Sequence, residues 1–67
     1  MKPIKLKELK KGAWFTKKSI EYPNEKQVWV KEDYDRSQKK YVITRWNDIN
    51  DYQYMSGERE VYLDFIF

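Results

Sequence analysis

The sequence predicts an all-β fold, a small five-stranded SH3-like barrel. Three observations carry this expectation. Residues 28–46 read as one long hairpin, with two arms rich in β-branched and aromatic residues on either side of a polar connection. Residues 60–67 alternate apolar and polar side chains with the period of a half-buried strand. Between these lie short strand-like runs separated by tight turns, as in an all-β meander.

In chain order, Pro3 disfavours a helix at the start, and Ile4 and Leu6 alternate with lysines as in a short edge strand. Leu6 and Leu9 are three apart, which suits a single turn tucked against a core. Gly12 then supplies a positive φ to end that turn. Residues 13–17 form the first clear strand, with Phe15 inward and Trp14 on the other side. The polar segment 18–27, with Pro23-Asn24 as its turn signal, is the longest expected loop, pinned by Ile20 and Tyr22.

The hairpin arms are residues 28–34 and 41–46. If Tyr34 faces Tyr41, then Asp35 and Lys40 close a four-residue loop at 36–39. That register places Val28, Val30, Tyr34, Tyr41 and Ile43 on one face. It sets Trp29 opposite Trp46 on the other, among Lys31, Lys40 and Thr44. Residues 47–51 read as a turn and 52–55 as a short strand with Tyr52 and Tyr54 on one face. Gly57 centres the next turn. In the final strand Val61, Leu63, Phe65 and Phe67 point inward. Only five residues separate Trp46 from Tyr52, too few for the helix that an OB-like partly open barrel, the alternative, places there.

Sixty-seven residues make one domain, 1–67, near the size at which a single core suffices. The chain has no Cys and no His, so disulfides, thiolate zinc sites and the usual metal cages are excluded. Stability must come from apolar burial, and an aromatic content of 18% supplies the area. No run has membrane-spanning length, no signal peptide is evident, and a cytoplasmic protein is expected. The net charge of +3 is unevenly spread: residues 1–18 carry +6 and the remainder −3. A basic segment of this kind is either a solvated, solubilising face or an electrostatic footprint for phosphates.

Catalysis has little support, because the commonest general base and the thiol nucleophile are both missing. No glycine-rich phosphate loop is present, and Asp48, Asn50 and Asp51 lack the spacing of a calcium loop. No enzyme and no cofactor are therefore expected. Aromatic side chains beside basic ones are the one constellation that points to a ligand. Single-stranded nucleic acids stack bases on exposed aromatics while Lys and Arg track phosphates. The candidate contacts are Lys10, Lys11, Lys17, Lys18, Trp29, Lys31, Arg45 and Trp46, with Trp14 as a further platform. The partner expected is DNA or RNA. The alternative is a protein or peptide held in an aromatic groove or added to a sheet edge. Tryptophans in so small a protein are commonly structural, and Leu6 and Leu9 lying across a Trp pair would make them so.

The combination Leu6-Lys7-Glu8-Leu9-Lys10-Lys11-Gly12-Ala13-Trp14-Phe15-Thr16, Val28-Trp29-Val30, Tyr34-Asp35-Arg36-Ser37, Lys39-Lys40-Tyr41, Asp48-Ile49-Asn50 and Val61-Tyr62-Leu63-Asp64-Phe65 resembles a family of small uncharacterised all-β proteins from gut-bacterial genomes and mobile elements. The resemblance spans almost the whole chain and implies one intact domain with no assigned activity. That family commonly has Asp where Ala13 stands and Gly where Glu32 stands. The second difference argues against a bulge in the first hairpin arm.

Overall fold

The computed structural model describes residues 3–67, with Ile49 described by its backbone alone. Lys2, counted in the basic segment, lies outside the described residues, as does the side chain of Ile49 quoted in the family pattern. Six strands follow in order: β1 (Ile4–Lys5), β2 (Trp14–Thr16), β3 (Val28–Asp35), β4 (Lys40–Arg45), β5 (Asp48–Met55) and β6 (Glu60–Val61). They form a four-stranded antiparallel sheet, β2-β3-β4-β5, and a two-stranded sheet, β1-β6. The sheets are not closed into a barrel, which corrects the five-stranded closed expectation in strand count and closure. They are joined where Thr16 and Tyr62 exchange backbone hydrogen bonds of 3.0 and 2.9 Å. Among the described residues no helix is long and apolar enough to cross a membrane.

The N-terminal turn is a one-turn 3₁₀ helix, Leu6–Glu8, that carries Leu6 into the core, fully buried. The Glu8 carboxylate accepts from the Lys5 backbone N–H at 3.2 Å and so satisfies one of the donors that a helix start leaves free. Backbone bonds from Leu6 to Arg59 and from Lys7 to Gly57, each 3.0 Å, fasten this turn to the connection between β5 and β6. Gly12 has φ +88°, as its place after the turn required.

The core comprises Leu6, Leu9, Phe15, Trp29, Ile43, Met55 and Val61, with Ile4, Ala13 and Tyr41 packed against it. Leu6 and Leu9 thus join the main core and do not lie across a tryptophan pair. Full burial of a side chain such as Phe15 or Ile43 contributes roughly 1.5–3 kcal/mol each.

The central hairpin has the predicted end and an unpredicted middle. Tyr34 pairs with Tyr41 and Asp35 with Lys40, leaving residues 36–39 as the loop. The Asp35 carboxylate organises that loop, accepting from the Ser37 N–H at 2.9 Å and the Ser37 hydroxyl at 2.7 Å. Between Lys31 and Tyr34 the register slips by one residue: three steps on β3 span two on β4. Trp29 therefore pairs with Arg45 and Lys31 with Ile43. Because side chains alternate, the slip moves Trp29 and Lys31 to the core face and Val28 and Val30 to the other. The expectation that Trp29 opposes Trp46 on one face is overturned by this bulge, which forms with Glu32 and Asp33 in it and without a glycine.

Strand β5 starts at Asp48, but its continuous ladder with β4 covers Tyr52–Met55, as expected. The next pair is Arg45 with Asp48, so residues 49–51 stand out of the ladder and Trp46 and Asn47 reverse the chain. One further expectation is corrected. The final strand is confined to Glu60–Val61, after which the chain departs from the β1 ladder. Val61 is buried, but Leu63 is 41% exposed, Phe65 half-buried and Phe67 48% exposed. Phe67 instead reaches Trp14 and Trp46, with ring centroids 5.8 and 4.9 Å away, and the two indoles lie 5.7 Å apart. This aromatic triad sits on the side of the sheet opposite the core, beside the fully buried pair Thr16 and Val28.

Candidate functional site

Residues 18–27 cross the sheet near the start of β3 and wall off a cleft of about 280 Å³. Its lining comprises Lys17, Lys18, Ile20, Lys26, Gln27, Trp29, Arg45 and Gln53. Four of the eight lining residues are cationic and none is acidic. The loop is held from two directions. Pro23 is buried whereas Tyr22 is 69% exposed, so proline replaces the tyrosine expected to pin the segment. The Arg45 guanidinium donates to the Lys26 carbonyl oxygen and, through Nε, to Asp51 at 2.6 Å. Arg45 is thus clamped in place by β5 and the loop together, and its charge is fixed at the cleft wall.

Trp29, 4% exposed, forms the cleft's floor. The Lys17 ammonium lies 4.1 Å and the Arg45 guanidinium 4.6 Å from its ring centre. A cation over an indole face is attracted by the ring quadrupole, so the tryptophan gathers both positive groups. Lys17 also donates to Gln53 Oε1 at 2.6 Å. Its pKa is lowered, first by burial and then by the neighbouring positive charges of Arg45 and Arg59, with Asp51 opposing. Cations crowded in this way favour the arrival of an anion. Among the described residues, no carboxylate forms an ion pair with Lys17, Lys18 or Lys26.

The eight residues singled out from the sequence divide into four groups. Lys17, Lys18, Trp29 and Arg45 meet at the cleft. Lys10 and Lys11 are exposed beside the Gly12 turn, with Lys11 paired to Asp33 at 2.8 Å. Trp46 is 37% exposed on the far side with Trp14. Lys31, expected on a charged face, is instead buried, and its ammonium donates to the Leu9 carbonyl within the core. Trp29, expected as a stacking platform, is also buried, with two cations at its ring. Sequence reasoning missed Lys26, Gln27 and Gln53. Lys26 and Gln27 lie in the loop that its length had marked, whereas nothing local to Gln53 ties it to Lys17, which follows β2.

The N-terminal charge is partly answered within the fold. Lys5 and Lys7 reach Glu58 at 3.1 and 2.7 Å. Such exposed pairs are weak and exchange readily for other anions. Among the described residues no group of carboxylates could hold a metal ion, and Asp48 accepts from the Asn50 N–H at 3.0 Å, a turn-like role. Comparison with protein-family models, curated proteins and solved structures finds no match for this chain.

Proposed function

We propose that the chain is a small non-enzymatic module that binds nucleic acid through its phosphates. The observation that carries this reading is the cleft: three ammonium groups without a carboxylate partner among the described residues, and a guanidinium clamped by Asp51, surround one concavity. Lys10, Lys11 and the other exposed lysines of the N-terminal segment extend the positive field around it. Phosphates entering this field release condensed counterions, which drives binding with little dependence on sequence. The cytoplasm is the setting we assign, since the partner is available there. In topology we read an opened SH3-like arrangement, supported by the Thr16–Tyr62 bridge that brings the end of the chain back to β2. The family resemblance adds no activity to this reading.

The test is binding of mixed single- and double-stranded DNA and RNA across a range of salt. The expected result is an affinity whose logarithm falls linearly with the logarithm of salt concentration. Absence of binding even at low salt overturns the proposal.

One observation favours a second reading, a protein- or peptide-binding module. Trp14, Trp46 and Phe67 stand together and exposed on the face opposite the core, where Tyr52 and Tyr54 also point outward with ring centroids 6.1 Å apart. Exposed aromatics of this kind are common anchors for protein partners. Loss of a bound peptide in Trp46→Ala, with nucleic-acid binding absent, would establish this reading over the first.

A further inference from the structure

The cleft presents donors to whatever enters it. Gln53 Oε1 accepts from the Lys17 ammonium at 2.6 Å, and Gln27 Oε1 accepts from the Asn24 backbone N–H at 3.0 Å. An ammonium and a backbone N–H can only donate, so these two contacts fix which end of each amide is oxygen. What remains to meet a ligand is the NH₂ group of each glutamine, beside the ammonium groups of Lys17, Lys18 and Lys26. Half-buried Ile20 supplies the apolar part of the lining, while Trp29 lies beneath Lys17 and Arg45. A site built in this way selects a ligand that is anionic at one end and rich in acceptors at the other.

We infer that the cleft takes one nucleotide unit of a single strand, its phosphate on the lysines and a carbonyl-rich base against the Gln27 and Gln53 amides. The inference rests on the nucleic-acid reading above and adds the kind of strand and base. Thymine and uracil offer two carbonyl oxygens to amide donors. Adenine offers one acceptor, N1, beside an NH₂ group on its pairing edge, so it can satisfy one of the two glutamine NH₂ groups and opposes the other donor to donor. A single strand is required because a duplex keeps that edge paired, whereas an unpaired base can turn it into a pocket. The volume of about 280 Å³ lies near the lower end for small-ligand sites and suits one such unit.

The experiment compares fluorescently labelled short oligothymidylate and oligoadenylate at low salt, against the wild-type chain and three variants at solvent-exposed positions. Wild type should bind oligothymidylate about tenfold more tightly, the discrimination typical of one good base contact. Gln53→Met, which removes the donor and keeps the length, should bring that ratio close to one. Lys18→Gln and Lys26→Gln should weaken both oligonucleotides several-fold and leave the ratio unchanged. An unchanged melting temperature for each variant shows that the fold is intact.

Equal binding of the two oligonucleotides by wild type overturns the base preference and leaves the phosphate-binding proposal standing. Affinities that Lys18→Gln and Lys26→Gln do not alter overturn the cleft as the site while still leaving nucleic-acid binding in place. If neither oligonucleotide nor any duplex binds, the functional proposal and this inference fall together.

Discussion

The ammonium of Lys31 lies 4.3 Å from the centre of the Tyr41 ring and donates to the carbonyl oxygen of Leu9. A lysine that the sequence places on a charged surface is thereby a core residue, tying the N-terminal turn to the inner face of the sheet. Its carbonyl partner and the tyrosine face recover part of what the ammonium loses on leaving water. Burial lowers the Lys31 pKa below its ordinary value.

Replacing this lysine with an apolar side chain of similar length should leave the Leu9 carbonyl without its donor. Lys31→Met is expected to lower stability by about 1–2 kcal/mol in a denaturant titration near neutral pH. The pH dependence has a definite sign. With the folded-state pKa below 10.5, the unfolded chain binds more protons in the window just beneath that value, so wild type gains stability as pH rises through it. The difference between wild type and Lys31→Met should therefore widen from pH 8 toward pH 10. A difference that narrows would show that the ammonium is stabilised where it sits.

Phe15 and Leu63 both looked inward in the sequence, yet Phe15 is fully buried and Leu63 is 41% exposed. Phe15→Ala should cost about 3–5 kcal/mol, enough to unfold a domain this small at moderate temperature. Leu63→Ala should change stability by no more than about 0.5 kcal/mol. Thermal melts of the two variants side by side check the contrast. A large loss for Leu63→Ala would restore a longer final strand.

Gly57 sits beneath Tyr41 in the turn between β5 and β6. A Cβ added there would meet the tyrosine ring at 2.8 Å and the Lys7 Cβ at 3.0 Å. Gly57→Ala must displace a ring that already packs on the core and on Tyr34, 4.9 Å away centroid to centroid. We expect a loss of about 1–3 kcal/mol. Gly57→Ala with wild-type stability would mean that Tyr41 has room to move.

The parts of this fold that were legible in the sequence are those fixed by neighbours along the chain. Asp35, Ser37 and the Tyr34–Tyr41 pair determine the hairpin tip locally, and Leu6, Leu9 and Gly12 determine the N-terminal turn. The face of Trp29 was not legible, because it depends on one extra residue in β3 that Glu32-Asp33 do not announce. The alternation of residues 61–67 misled for a different reason. Tyr62 leaves one sheet to bridge the other, and the apolar residues after it find Trp14 and Trp46 instead of the core. At the cleft, charge alone indicated Lys17, Lys18 and Arg45. Bringing Gln53 and Lys26 to them takes the ladder of β4 with β5 and the return of the loop, which only the folded chain supplies.

The central claim is that nucleic acid meets this protein at the cleft between the 18–27 loop and the sheet. Backbone-amide NMR shifts recorded while short oligothymidylate is added at low salt test it most directly. The shifts of Lys17, Lys18, Lys26, Gln27, Arg45 and Gln53 should move together and saturate, and should return when salt is raised. Movement confined to Trp14, Trp46 and Phe67, or no movement at any residue, would contradict the claim.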